Sequence, residues 1–320
     1  MKKWLTKISL VFASSIALVS LVSCQNKSTE TKTTKKPAEK TKNVMLEKLD
    51  PIIQNYTNND QFLLNSLLKQ QLDDTYTKFD ELKSALTWAP LFYTNIRSNN
   101  SSLRTLTSNG VNIVNTTLKQ NWLWLLNYLN RFVFVFNPYG EEYNDDFEED
   151  VFNKVKTKIG SLFLKLDTNK LTEIYSVLVE PKWYQNDPIT NLQAHYLIFP
   201  TGFMKLYSYE FDNKKQIFLV PDFFMFDTDE NTEITWLKDK LNALETKIWE
   251  QRQKNIEQLL KEDKDAFEPK GEEVIKQNNQ LNQYFKPYDQ NSYVLYQFNA
   301  LKELSELPII KFTLRSVEND

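Results

Sequence analysis

One cysteine, one histidine and a few spaced carboxylates are the residues from which this chain would have to build chemistry. Cys24 alone makes no intramolecular disulfide and no multi-thiolate zinc site, and His195 alone leaves no imidazole pair for a histidine-rich metal centre. A catalytic triad needs nucleophile, base and orienting acid in contact. His195 is followed by Tyr196-Leu197-Ile198-Phe199 with no Gly-x-Ser-x-Gly and no thiol beside it, and reads as an ordinary strand histidine. Asp227-x-Asp229-x-Asn231 copies the first half of an EF-hand loop, in which alternate oxygen ligands surround calcium. The sixth position is Thr232 rather than glycine and the twelfth is Lys238 rather than glutamate, so the loop fails as a calcium site. It reads instead as a polar helix entry capped by Asn231 or Thr232. Asp145, Asp146, Glu148, Glu149 and Asp150 likewise read as a solvated helix start. With 5 glycines, neither G-x-x-x-x-G-K-[ST] nor G-x-G-x-x-G occurs. Among 42 acidic residues no spacing singles out a carboxylate pair for glycoside hydrolysis. No metal, no cofactor and no enzymatic activity are expected.

The surroundings of Cys24 are more informative. Lys2, Lys3 and Lys7 form a positive start, and Ile8 to Val22 follow as an unbroken apolar and small-residue run. That run has the length of a signal-peptide core and is too short to span a bilayer comfortably. It closes in Leu21-Val22-Ser23-Cys24, which resembles the lipobox of bacterial lipoproteins. The resemblance implies that the Cys24 thiol receives a diacylglyceryl group in thioether linkage. It also implies that signal peptidase II cuts between Ser23 and Cys24, leaving palmitate-type acyl chains as a membrane anchor. At ~0.8 kcal/mol per buried methylene, two chains contribute on the order of 20 kcal/mol, so attachment is effectively permanent. The implied location is the cell membrane, lipid-anchored, on the extracellular face.

The net charge of the whole chain is −3, and Met1 to Ser23 hold three lysines, so a chain starting at Cys24 carries −6. Residues 24–43 contain six lysines against two glutamates, which leaves about −10 on the body from Val44 to Asp320. An acidic surface repels a phosphate backbone, and nucleic-acid binding is not expected. Gln25 to Lys42 has only Ala38 to bury and reads as a disordered tether holding the body roughly 25 Å from the lipid. The expected organisation is residues 1–23 signal peptide, 24–43 tether and 44–320 a single α+β body.

Within the body the period is helical from Leu46 to about Ile189. Leu64, Leu68, Leu72, Phe79, Leu82 and Leu86 recur three, four or seven apart until Pro90, and a polar loop is expected from Arg97 to Gly110. Phe147, Val151, Val155, Ile159, Leu162 and Leu166 predict one apolar helix face after an Asp145/Glu148 capping box, and a shorter helix is expected from Thr168 to Val179. Beyond that the period turns to two. Ala194–Phe199, Phe203–Phe211 and Gln216–Val220 predict a three-stranded meander, with further strands at Tyr293–Phe298 and Ile309–Leu314. A long helix, about Glu233 to Glu262, carries Ile234, Leu237, Leu241, Leu244 and Ile248, a stripe suited to packing on the sheet. The predicted fold is therefore α+β: a helix-rich N-terminal half packed with an antiparallel sheet and a long C-terminal helix.

The densest aromatic stretch runs from Trp122 through Trp124, Tyr128, Phe132, Phe134 and Phe136 to Asn137-Pro138-Tyr139-Gly140. As a helix to Phe136 it is apolar almost all round, with Asn127, Asn130 and Arg131 on one narrow side. The alternation in Phe132–Phe136 also fits a strand, and helix is the preferred reading. Asn137 to Gly140 fit a type I turn. The lipobox, the Asn/Lys/Phe/Tyr-rich and glycine-poor composition and this run closing in Phe-Asn-Pro-Tyr-Gly together resemble the aromatic-motif surface lipoproteins of mycoplasmas. That resemblance implies a cell exposed to host fluid and implies nothing about catalysis.

The aromatic run is either a buried packing element or an aromatic-lined cleft. In the second case Trp122, Trp124, Tyr128 and Tyr139 supply stacking surfaces, while Asn127, Asn130 and Arg131 orient a ligand. The function expected from these residues is a lipid-anchored surface module that binds a host protein, glycan or lipid. The alternatives are an extracytoplasmic hydrolase with an unrecognised carboxylate site and a structural subunit of a surface complex.

Overall fold

The computed structural model describes residues 44–72, 76–88, 101–137, 153, 155–157, 160–179, 189–226, 235–278, 285, 297, 300, 301, 303, 304 and 309–318. The first helix, α1 (Val44–Tyr56), buries Met45, Leu49, Ile52 and Ile53, one stripe at helical spacing. It stops at Asn58 and Asn59, both at φ 56, a left-handed conformation that asparagine tolerates. Asp60 then opens α2 (Gln61–Gln71) by accepting from Phe62 N at 2.7 Å and Leu63 N at 3.0 Å. Phe79, Leu82, Ala85 and Leu86 form the buried side of α3 (Tyr76–Trp88).

The polar loop expected at Arg97–Gly110 is overturned for its described part, because Ser101–Gln120 is one helix, α4. Its inner side is Thr107, Gly110, Val114, Thr117 and Leu118, a true three-and-four spacing written mostly in small or polar residues. Hydropathy therefore conceals it.

The aromatic stretch is not one helix. It comprises α5 (Trp122–Asn127), a 3-10 turn Leu129–Arg131 and a strand β1 (Phe132–Phe136), so the preferred reading of a helix to Phe136 is corrected in favour of the strand. Period two decides the second half: Phe132 and Phe134 are buried while Val133 and Val135 are half-buried. Asn121 supplies no side-chain cap to α5. Instead Gln71, itself buried, accepts from Leu123 N at 3.1 Å and Trp124 N at 3.2 Å, and its amide group donates to the Gln120 carbonyl. A residue of α2 thus satisfies the first-turn amides of α5.

Two more expected helices give way to strands. Residues 153 and 155–157 are helical, but Gly160 lies at φ 74 and Phe163–Leu164 form β2, so the apolar face does not continue to Leu162 and Leu166. Thr168–Val179 is a 3-10 turn, Thr168–Lys170, followed by β3 (Glu173–Leu178). The reason is a full-length ladder with β4 (Ile189–Phe199), from Glu173 opposite Ile198 to Leu178 opposite Gln193.

The meander continues as expected through β5 (Gly202–Phe211) and β6 (Lys214–Leu219). Asp212 at φ 50 and Asn213 at φ 59 make the two-residue hairpin between them. A further strand, β7 (Asp222–Phe226), was not legible in advance. Gly202 is sterically required, since a Cβ there would stand 2.0 Å from the carbonyl oxygen of Phe224 on β7. The long helix α6 (Thr235–Lys264) and a short α7 (Glu272–Asn278) follow, and β8 (Ile309–Val317) closes the described chain. The strand expected at Tyr293–Phe298 is contradicted at its described residue: Gln297 is helical, as are Ala300 and Leu301, and all three are buried at helical spacing.

The fold is therefore α+β, with an antiparallel sheet in the order β2-β1-β8-β7-β5-β4-β3 and β6 paired to β5. Helix α3 packs on β8, α4 and α5 on β6, α1 on β3 and β6, and α6 on β3. Among the described residues no helix is long and apolar enough to cross a membrane.

Candidate functional site

The two tryptophans singled out from the sequence lie in the core. Trp122 and Trp124 are 1 % and 0 % exposed. Phe79 organises the cluster, with ring centroids 4.6 Å from Trp124, 5.4 Å from Tyr128 and 6.1 Å from Phe132, and with the Arg131 guanidinium 3.8 Å above its face. Trp122 instead meets Tyr56 edge-on at 6.0 Å. Asn127 and Tyr128 are half-buried and Asn130 is exposed. Tyr139 lies outside the described residues, as do Ser23, Cys24, the tether, the acidic run 145–150 and the Asp227–Asn231 loop.

A concave site exists one layer away from the tryptophans, where α1 crosses the β4–β5–β6 meander. It is an open cleft with room for about 180 Å³. From α1 come Ile52, Asn55 and Tyr56, from β4 Asn191 and Gln193, and from the β5–β6 hairpin Ser208, Tyr209, Glu210, Lys215 and Gln216. The β4–β5 register slips between Thr190 and Gln193, and Asn191 within the slip sits at φ 52. This is a β-bulge, a device that re-aims side chains at the rim of a sheet. It lets Asn191 Nδ2 donate to Glu210 Oε2 at 2.8 Å. Lys215, directly across the ladder from Glu210, donates to the carbonyl of Asn55 at 2.7 Å and to its Oδ1 at 2.9 Å.

Both phenols of the cleft stay protonated at neutral pH. Burial pushes Tyr209 far above the usual phenol range, the neighbouring Tyr56 adds to the shift, and burial also raises Tyr56. As neutral hydroxyls they are equipped to donate and to accept a hydrogen bond. Tyr209 is further held by stacking on Phe285 at 4.9 Å and 21°.

Ser208 links the cleft to the interior. His195 Nε2 lies 2.7 Å from Ser208 Oγ, and its Nδ1 lies 2.7 Å from Ser176 Oγ. The row superficially resembles a triad, but the third member is a hydroxyl rather than an acid, and Ser208 is embedded between β4 and β6. Burial pushes His195 down to about 4, so the ring is neutral and weakly basic. Its folded value lies below the unfolded 6.5, so the unfolded chain binds more protons between those values. Stability from this group is complete above pH 6.5 and falls by up to about 3 kcal/mol on acidification to pH 4. Buried Asp222, raised by burial, acts in the opposite sense at the acid end. Urea unfolding of wild type and His195→Gln at pH 7 and pH 4.5 separates the two: the acid-induced loss is expected to shrink in the variant, and equal losses would refute the assignment.

A second polar group is fully interior. Lys205 on β5 donates to Glu245 Oε1 of α6 at 2.9 Å and to the Tyr207 hydroxyl at 2.6 Å. Tyr207 donates to Glu245 Oε2 at 3.1 Å, and Tyr196 donates to Oε1 of the same carboxylate. Lys205 is 0 % and Glu245 2 % exposed, so this cluster holds helix to sheet and meets no solvent. Among the described residues no group of three or more His, Cys, Asp or Glu is placed to hold a metal ion.

None of the described aromatic candidates lines the cleft, and none of the cleft residues was singled out from sequence. They come from three separated segments, and their only local signals are asparagines in a strand-like stretch and a Glu/Lys pair flanking a turn.

The chain belongs to the aromatic cluster surface protein family, whose family model matches residues 23–270. That span contains the aromatic cluster and every residue of the cleft. No curated protein and no solved structure matches the chain.

Proposed function

We propose that this member of the aromatic cluster surface proteins is anchored by lipid on Cys24 and binds a small extracellular ligand in the cleft between α1 and the β4–β6 meander. The anchor reading rests on Leu21-Val22-Ser23-Cys24 after a short apolar run and on membership of a surface-protein family. The resemblance of the sequence to mycoplasma surface lipoproteins agrees with it. The binding reading is carried by one observation: polar side chains converge on a concave site and are already held in place by Asn191–Glu210 and Asn55–Lys215 hydrogen bonds. Fixed side chains lose little entropy when a ligand arrives. The acidic body disfavours a nucleic-acid ligand.

Cys24→Ser is expected to move the protein from the detergent phase to the aqueous phase in temperature-induced phase partitioning, and mass spectrometry of the wild type is expected to find a thioether-linked diacylglyceryl group on Cys24. Retention of the serine variant in the detergent phase would count against the anchor. For the cleft, Tyr209→Ala with Glu210→Ala is expected to abolish ligand binding to the full chain while leaving partitioning unchanged.

A further inference from the structure

From the chemistry of the cleft walls we infer its ligand class, resting on the binding reading above: the site takes one neutral sugar ring, either a free monosaccharide or the terminal residue of a glycan. Size is the first reason. About 180 Å³ lies below the few hundred Å³ of sites for drug-sized ligands, enough for a single ring and too little for an oligosaccharide.

Charge is the second. The walls carry one carboxylate, Glu210, and one ammonium, Lys215, as direct cross-strand partners, so their charges cancel over the site. Each is held by a neutral amide residue: Asn191 donates to Glu210 and Asn55 accepts from Lys215. An anionic or cationic ligand finds no net field, whereas a hydroxyl both donates and accepts. Adjacent hydroxyls on one ring are therefore matched by an acceptor and a donor facing each other across a ladder, where Cβ atoms lie about 5 Å apart.

The third reason is the remaining lining. Gln193, Gln216 and the neutral Tyr209 phenol add groups of both hydrogen-bonding polarities, and Ile52 with the ring of Tyr56 gives a small apolar wall for the C–H face of a sugar. The bulge at Asn191, with a left-handed residue inside a strand, is the strained feature that sets this geometry.

The test is isothermal titration of the full chain, solubilised in a sugar-free detergent, with glucose, galactose and N-acetylglucosamine in one arm. A second arm uses glycoproteins ending in the same sugars, and a third uses the zwitterions glutamine and serine. Dissociation constants near 1 mM, on the order expected of a few hydrogen bonds, are expected for at least one sugar. Tighter binding of the glycoprotein assigns the source as a glycan end, and equal binding assigns it as the free sugar. Glu210→Gln and Lys215→Met, each checked for an unchanged melting curve, are expected to weaken that binding about tenfold or more. Binding of the zwitterions and not the sugars overturns the sugar assignment while leaving a binding cleft in place. Sugar binding unaffected by either variant overturns the assignment to this cleft. Silence in all three arms overturns the sugar class and the small-ligand reading together.

Discussion

Replacing Glu245 with alanine is expected to lower the unfolding free energy by about 3–5 kcal/mol, the usual consequence of removing one partner from a buried pair. The Lys205 ammonium would then lie wholly inside the protein, donating to the Tyr207 hydroxyl with no carboxylate from Glu245 to balance its charge. Burial already pushes the Lys205 amine below its ordinary value, and the Glu245 charge and hydrogen bond oppose that push. Without Glu245 the opposing effect disappears. Thermal unfolding should show a drop of roughly 10 °C for a loss of this size. The double variant Lys205→Met with Glu245→Leu is expected to regain much of the loss, because neither charge then has to be desolvated. A Glu245→Ala protein that melts like the wild type would show that the cluster does not hold α6 to the sheet.

The second large effect concerns the aromatic cluster. Trp124→Ala is expected to cost about 3–5 kcal/mol, the range for deleting a fully buried large aromatic side chain. Trp124 is 0 % exposed and lies 4.6 Å from Phe79, 5.8 Å from Phe132 and 6.0 Å from Tyr128, so the void would open at the meeting point of α3, α5 and β1. Trp122 belongs to the same helix as Trp124 and Trp122→Ala opens a void beside Tyr56, so the two losses are expected to couple rather than simply add. Phe62→Ala provides the control: that ring is 80 % exposed and its removal is expected to change stability by less than about 0.5 kcal/mol. Denaturant unfolding of the three variants measures this. A stable Trp124→Ala protein that had lost a ligand would instead return the tryptophans to a recognition role.

Legibility in the sequence followed how local each determinant was. The meander from β4 to β6, the strand at Ile309 and the long helix α6 were readable because period and turn residues agree within single segments, as at Asp212-Asn213. The sequence of β3 looks helical by itself because its ladder partner, β4, decides the matter and lies further along the chain. The first half of α4, Ser101–Gly110, looks like a loop in sequence because its buried positions, Thr107 and Gly110, are residues that hydropathy does not score as core. The aromatic run is ambiguous in sequence, since Phe-Val-Phe-Val-Phe satisfies a buried helix and a strand equally until β8 is placed beside it. The cleft was not readable at all. Asn55, Asn191 and Lys215 carry no shared spacing, and the left-handed backbone at Asn191 becomes visible only once β4 and β5 are paired.

Strand β8 has its own consequence for the order of assembly. It lies in the middle of the sheet between β1 and β7, with Phe134 opposite Leu314 and Phe223 opposite Phe312, although it is the final strand in the described chain. Until Ile309–Val317 arrives, the aromatic strand and the meander are two fragments with open edges, and such long-separation pairing is slow to nucleate. Completion of the sheet therefore waits on Ile309–Val317, the one segment that bonds to both fragments.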